Sequence, residues 1–410
     1  MKNAKKRLLS LVFLLFTFMT GGCTAEPIRS ETTAAAPLPK PAALETSATA
    51  EGTPPSPLPT EAPVSSAGTS ATAPTASSAE AAETTGSSDP GATAVIAFAG
   101  DTTQSDVFGE ATAARNLSYP FEDVAPYFRA ADLAFVNLET SVSTRGESEK
   151  PEGFGFRTDP AYLAVYREAG IDLVSLANNH TRDYGNEAFA DTILHLGESG
   201  IDQVGAGASL GEAARLAVYD LNGIRVGFTA CNMINMNPTW YAAEDRAGLC
   251  CVDLADCADY LGRIAEYDRE CDVLFVSVHW GIEYVNLMTE EQRTFARLLC
   301  DNGADVILGS HPHVLQPIER YGESVIFYSL GNFLFYKMDD EAGKTALFEI
   351  EIDRNGFIGG TIRPVFIQYC KSNLLSTADP MYTEILTLVR TISEPYGVTV
   401  GEEGEIILIP

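Results

Sequence analysis

The chain has 410 residues, with 56 acidic and 27 basic side chains and a formal charge of -29. Such a balance excludes a broad nucleic-acid surface, which needs basic patches to meet phosphate, and it repels polyanions unless a local cationic site attracts them. Five histidines and eight cysteines are scarce enough that their placement carries information.

Lys2, Lys5, Lys6 and Arg7 form a basic start before the apolar run Leu8 to Met19. That run has signal-peptide length and is too short for a comfortable membrane span. Thr20-Gly21-Gly22-Cys23 resembles a bacterial lipobox, with Thr20 where leucine is usual and Cys23 as the lipidated residue. The alternative is an ordinary secretory signal. Residues 1–23 are thus expected to be a lipoprotein signal peptide, and 24–92 a disordered Ala/Thr/Ser/Pro-rich tether with too few apolar residues to offset ordering entropy. A flexible tether of that length spans on the order of 50 Å. The expected location is extracytoplasmic, anchored to the cell membrane.

Residues 93–372 read as the functional domain, and 373–410 as a helix and strand that complete it. Ala94 to Ala99 is a continuous apolar run, hence a buried strand, ending in Gly100-Asp101-Thr102-Thr103. A helix over Pro120 to Ala131 precedes the strand Leu133 to Val136, which delivers Asn137-Leu138-Glu139; Asn137 and Glu139 alternate to one side. Ser141 to Phe156 is loop-like. Asp159 caps a helix with Pro160 at its first position, ending at Gly170. The strand Ile171 to Leu176 then feeds Asn178-Asn179-His180, and a helix from Asn186 to Gly200 holds His195, read as structural.

Ala217 to Ala230 reads as two strands around Asn222-Gly223. Asn232 to Cys257 is irregular. Its Cys250, Cys251 and Cys257 lack a clean zinc spacing, leaving a disulfide with Cys231 or Cys257 as the alternative. A helix over Asp253 to Glu270 leads into the strand Asp272 to Val278 and His279-Trp280-Gly281-Ile282-Glu283. Thr289 and Gln292 fit a capping box for a helix running to Gly303. The strand Asp305 to Leu308 presents His311 and His313 on a sharp loop, and Val325 to Leu330 ends in Gly331-Asn332-Phe333. A hairpin of Leu347 to Ile352 with Phe357 to Phe366, a helix over Pro380 to Ile392 and the strand Ile406 to Leu408 follow. Strand–helix alternation with late hairpins predicts a layered α/β domain with mixed sheets.

Candidate residues repeatedly fall just after strands, the edge where open α/β sheets gather ligands. Asp101, Glu139, Asn179, His279, His311 and His313 form a mixed oxygen and imidazole donor set suited to Mn, Fe or Zn. Two ions about 4 Å apart could share a carboxylate. His180 suits a general acid, with Asp183 or Glu283 to orient it. Leu308-Gly309-Ser310-His311 is not a nucleophile elbow, and no P-loop or dinucleotide glycine pattern is present.

The ordered blocks Gly100-Asp101, Asn137-Leu138-Glu139, Ala177 to His180, His279 to Tyr284, Gly309 to Gln316 and Ser329 to Phe333 resemble the CapA family, the poly-γ-glutamate capsule synthesis proteins, over about Ala94 to Cys370. The resemblance implies a four-layer α/β/β/α sandwich of the calcineurin-like metallophosphoesterase kind. It implies one or two divalent ions on Asp101, Glu139, Asn179, His279, His311 and His313, with His180 catalytic. Asn137, Trp280 and Asn332 count as further site members. One departure stands out: Thr103 occupies the place where metallophosphoesterases carry a metal-binding histidine. The expected function is a membrane-tethered surface protein acting in poly-γ-glutamate synthesis, export or anchoring, with the anionic polymer and a membrane complex as partners and hydrolysis or transfer as the open chemistries. A surface metallophosphoesterase unrelated to capsule, and a metal-free scaffold of a polymer-export complex, are the alternatives.

Overall fold

The computed structural model describes residues 91–105, 116–151, 153–335 and 340–409. The expected signal peptide, Cys23 and nearly all of the tether lie outside the described residues.

The chain builds half of one sheet, all of a second, and then returns to finish the first. Strands β1 (Ala94–Thr102), β2 (Leu133–Leu138), β3 (Leu173–Ser175) and β4 (Asp202–Val204) are laid down first, joined by helices α1 (Ala125–Ala130), α2 (Leu163–Ala169) and α3 (Gly185–Ser199). The second sheet comprises β5 (Ala217–Leu221), β6 (Ile224–Asn232), β7 (Val273–His279), β8 (Val306–Ser310), β9 (Ile318–Tyr321) and β10 (Ser324–Phe327), with α4 (Ala258–Glu270) and α5 (Glu290–Asp301) between its central strands. The return supplies β11 (Asn332–Leu334), β12 (Lys344–Asp353), β13 (Gly356–Gln368) and β14 (Lys371–Leu374). Helix α6 (Pro380–Ser393) and a terminal pair, β15 (Val398–Val400) and β16 (Ile406–Leu408), close the chain.

The first sheet runs β14-β13-β12-β1-β2-β3-β4, with β11 also on β1; the second runs β9-β10-β8-β7-β6-β5. Both are mixed. β1 is parallel to β2 and antiparallel to β12, while β6, β7, β8 and β10 are mutually parallel.

Alternation along each strand sends side chains to two cores. Phe98, Phe135 and Phe348 of the first sheet meet Phe228, Phe275 and Phe327 of the second between the sheets. The opposite face of the first sheet buries Val136 and Val174 against Phe128, Tyr166 and Phe189 of α1, α2 and α3. The opposite face of the second buries Val276 and Ile307 against Ile264 of α4 and Phe295 and Leu299 of α5. Three cores between helices, sheet, sheet and helices make the four-layer α/β/β/α sandwich that the resemblance implied.

Local signals are visible in these elements. Asp159 accepts from the Ala161 amide and Gly170 closes α2 at φ 96°. Thr289 and Gln292 form the reciprocal capping box of α5.

Two readings are corrected. The helix expected over Pro120 to Ala131 is a 3-10 turn at Tyr119–Phe121 followed by α1. Pro126 sits in the first turn of α1, where its missing N–H is harmless, so the helix starts there. The strand expected over Val325 to Leu330 stops at Phe327. The chain then crosses to the first sheet through Gly331 at φ 69°, a left-handed turn that favours glycine. Cys231, Cys250, Cys251 and Cys257 form no disulfide, so the pairing that the sequence left as an alternative does not occur among the described residues. Among them also, no helix is long and apolar enough to cross a membrane.

Candidate metal centre

Every candidate ligand sits where a central parallel strand ends. Asp101 closes β1, Glu139 follows β2, and Asn179 and His180 follow β3. From the second sheet, His279 ends β7, and His311 and His313 follow β8. Glycine lets the backbone pack closely at these strand ends. A Cβ on Gly100 would lie 1.8 Å from the Gly331 carbonyl oxygen, and one on Gly309 would lie 2.0 Å from that of Tyr328. Both histidines after β8 take left-handed backbone, His311 at φ 94° and His313 at φ 58°. Non-glycine residues rarely do so, and each costs about 1–3 kcal/mol. The loop is held by Leu330 N–H to the Gly309 carbonyl, Tyr284 N–H to that of Pro312, and His311 N–H to Asp101 Oδ2 at 3.2 Å.

Donor atoms converge in three overlapping groups, each within 4.8 Å, of which two are made of buried residues alone. One is Glu139, His279 and His311; the other is Asp101, Glu139 and His313. Glu139 belongs to both, so its carboxylate is placed to bridge. It is fully buried, and neither oxygen has a hydrogen-bond partner. An unpaired buried carboxylate is strongly disfavoured, and burial, followed by the charge of Asp101, holds the Glu139 carboxyl well above its usual range. Burial pulls His313 down, but Glu139 and Asp101 outweigh it and lift the imidazole to about 9. Both shifts have the same meaning: the centre calls for positive charge between these groups.

Burial and the neighbouring histidines push His279 well below its usual range, and burial with His313 takes His311 down to about 4. Both rings are therefore neutral at pH 7, the form that metal ligation requires. His311 Nδ1 is buried without a partner. His279 Nε2 meets Asn179 Oδ1 at 2.8 Å and Glu139 Oε1 at 3.7 Å, while its Nδ1 is oriented by Ser310 Oγ at 2.8 Å. Asp101 Oδ1 accepts from Asn137 Nδ2, and Asn332 Oδ1 meets His313 Nδ1 at 2.8 Å. Ser310, Asn137 and Asn332 lie outside the donor set and orient His279, Asp101 and His313 from behind, as metal sites require. The residues fit a divalent cation: orphaned carboxylate oxygens, an orphaned imidazole nitrogen and a mixed donor set lie within reach of one point or two.

His180 stands beside this cluster, its Nε2 3.8 Å from Glu139 Oε1. Its Nδ1 meets Asp183 Oδ2 at 2.6 Å, and the Phe156 ring stacks on it at 4.1 Å between centroids. Burial lowers its pKa, with Asp183 opposing. Asp183 fixes the tautomer, leaving Nε2 with its lone pair toward the centre. A proton can be taken up and returned at that nitrogen. Of the two orienting candidates, Asp183 is the one in contact. Glu283 is exposed and groups instead with His311 and His313. Trp280 lies away from the donors, its indole N–H on the Tyr328 carbonyl and its ring against Phe295. His195 pairs with Glu198 on the surface of α3.

Four contributors escaped the sequence reading. Phe156 and Ser310 carry no local signature. Asn178 fixes the loop after β3, its Oδ1 accepting from the His180 and Thr181 amides. Lys150 places its ammonium 3.6 Å from Asp183 Oδ1, inside a stretch that reads only as loop. Thr103, where the histidine is missing, is buried with its hydroxyl unpartnered.

Residues 95–337 match the family model described as bacterial capsule synthesis protein PGA_cap. The chain belongs to this family. It is 32% identical over 275 residues to the PGA biosynthesis protein CapA of Bacillus subtilis (strain 168), spanning 66% of this chain and 70% of that one. It is 30% identical over 257 residues to the capsule biosynthesis protein CapA of Bacillus anthracis, spanning 61% of this chain and 62% of the relative, less than two thirds of its length. Among solved structures, a novel phosphatase of Mycoplasma pneumoniae aligns at TM-score 0.41 and 13% identity, over 73% of this chain and 99% of that one. A likeness of that degree says nothing about activity.

Proposed function

We propose that this family member acts in the synthesis, export or anchoring of poly-γ-glutamate at the cell surface, through a divalent-metal centre on Asp101, Glu139, Asn179, His279, His311 and His313. The single observation that carries the metal reading is Glu139: a fully buried carboxylate, shared by two donor groups, with both oxygens unpartnered. The Bacillus relatives, whose names state capsule and PGA biosynthesis, support the polymer as substrate class. When bound, the ion would polarise a carbonyl or phosphoryl oxygen and lower the pKa of a water. The chain's own part is to hold the donors rigid, keep His279 and His311 unprotonated, and use His180 Nε2, tautomer fixed by Asp183, to take or return a proton at the reacting group. Lys150 sets the charge on the far side of Asp183. Hydrolysis and transfer of the polymer both need these same parts. Cys23 and the segment after it would hold the domain outside the membrane as a lipoprotein, in contact with a membrane synthesis complex.

Elemental analysis of protein purified without chelator tests the centre, with about one or two equivalents of Mn, Fe or Zn expected. His279→Ala and His311→Ala variants should lose the metal. A folded wild-type protein with no bound metal would overturn the catalytic reading. A deletion strain with a capsule defect, rescued by wild type and not by His180→Ala, would tie the centre to the polymer. Retention of a Cys23→Ala variant in the membrane fraction would refute the lipid anchor.

A further inference from the structure

A second concave site lies on the edge of the second sheet, sharing no residue with the donor groups. A cavity of about 510 Å³ is walled by Arg293 and Arg297 of α5 and Arg320 of β9, with Tyr396, Glu319 and Glu323 around them. Three guanidinium groups lining one cavity are unexpected in a chain of charge -29. Arg293 and Arg297 stand four residues apart on α5, which puts them on the same face.

Carboxylates offset part of this charge: Glu319 and Glu323 are in the lining, and Glu290 lies 4.0 Å from the Arg293 guanidinium. Glu319 is 2% exposed and spent internally, with Arg297 at 2.5 Å and the Tyr328 hydroxyl at 2.6 Å. Its contact with Arg293 is long, at 3.9 Å. Glu323 is exposed. Arg320 gives Nε to the Gly322 carbonyl and one terminal nitrogen to that of Ile409. The Nε atoms of Arg293 and Arg297 have no partner. Tyr396 lies under Arg293, 5.4 Å from ring centroid to guanidinium carbon, and Tyr321 under Arg297 at 4.9 Å. Such stacking fixes the planes of the Arg293 and Arg297 guanidinium groups, whose Nε atoms are buried, so that a carboxylate in the cavity would be gripped through their terminal nitrogens.

We propose that this arginine cavity is a polycarboxylate-binding site, where the chain holds successive carboxylates of the γ-linked glutamate polymer at a distance from the metal centre. The polymer's identity rests on the function proposed above; the anion chemistry rests on the cavity alone. Such a hold lets an acidic protein retain an acidic polymer that its overall charge repels.

The test is binding of a fluorescent γ-glutamate decamer to the full chain in chelator, so that the metal centre takes no part. Wild type should bind, more weakly as salt rises. An Arg293→Gln/Arg320→Gln variant should bind about tenfold or more weakly, because charge-assisted hydrogen bonds of this kind carry such factors. Arg297 is kept because it pairs with buried Glu319. Should the double variant not fold, Arg320→Gln alone should still weaken binding. Free glutamate at equal carboxylate concentration should compete poorly. No decamer binding by wild type, unchanged binding by the folded variants, or equal competition by the monomer would overturn the inference. The two proposals fail separately. A chain that processes the polymer with metal but does not bind it in chelator loses only this site, whereas one that binds the decamer yet carries no metal loses only the metal reading.

Discussion

Replacing Glu139 with glutamine should make the metal-free protein more stable and the metal-loaded protein less so. The carboxylate is fully buried with no hydrogen-bond donor on either oxygen, and an uncompensated buried charge costs about 3 kcal/mol or more. A neutral amide of the same shape avoids most of that. In chelator at pH 7 the variant should gain about 3 kcal/mol, or roughly 5 °C in melting temperature for a domain of this size. The pH dependence has a definite sign. A carboxyl raised on folding binds more protons folded than unfolded, so the wild type loses stability as pH rises above about 4.3, by about 1.4 kcal/mol per pH unit, until Glu139 ionises. The slope is best read between about pH 5 and 6. His313, lifted to about 9, adds stability that is fully present below about 6.5 and lost as pH rises through 9. With metal the order reverses. An ion at about a thousand times its dissociation constant adds roughly 4.1 kcal/mol to wild type, more than the variant's lead of about 3 kcal/mol, and the glutamine variant should gain little. Denaturant melts in chelator and in Mn, Fe(II) or Zn supply both numbers. A variant that melts no higher than wild type in chelator, or that keeps its metal, would refute the reasoning.

Other consequences are as direct. Gly100→Ala drives a Cβ into the Gly331 carbonyl oxygen at 1.8 Å, so it should destabilise by about 1–3 kcal/mol through forced backbone shifts and weaken metal retention, read by melting and elemental analysis. Asp183→Asn removes the carboxylate that raises His180 against its burial, so the His180 pKa in metal-free protein should fall further; an NMR titration showing a rise would contradict the contact. The Arg145 guanidinium and Ser143 hydroxyl hold Asp191 down to about 2. This stability is present above about pH 4 and lost as pH falls toward 2. Arg145→Met should flatten that part of the stability profile, measured by denaturation at pH 5, 3 and 2.

The sequence exposes the ends of the central strands because runs such as Ala94 to Ala99 and Val273 to Val278 are apolar on both faces and stop abruptly at polar residues. It does not expose which ends meet. Asp101 faces His313, and His279 faces Asn179, only through a strand order that places β1 and β2 opposite β7 and β8. Glu139's place in both buried donor groups is invisible for the same reason. Trp280 shares a block with His279 yet turns into the helix-covered core, because consecutive residues leaving a strand point oppositely. The short strands β4, β9, β14 and β15 span three or four residues each, too few for periodicity to register.

The donors come from both halves of the sandwich: Asp101, Glu139 and Asn179 from one sheet, His279, His311 and His313 from the other. An ion held by both groups would act as a rivet through the seam. Its removal would leave the hydrophobic filling intact and free the upper rims to splay, so amide exchange in metal-free protein should quicken first at the ends of β1, β2, β7 and β8 while their middles stay protected. Catalytic assembly and mechanical closure of the molecule would then depend on one and the same bond set.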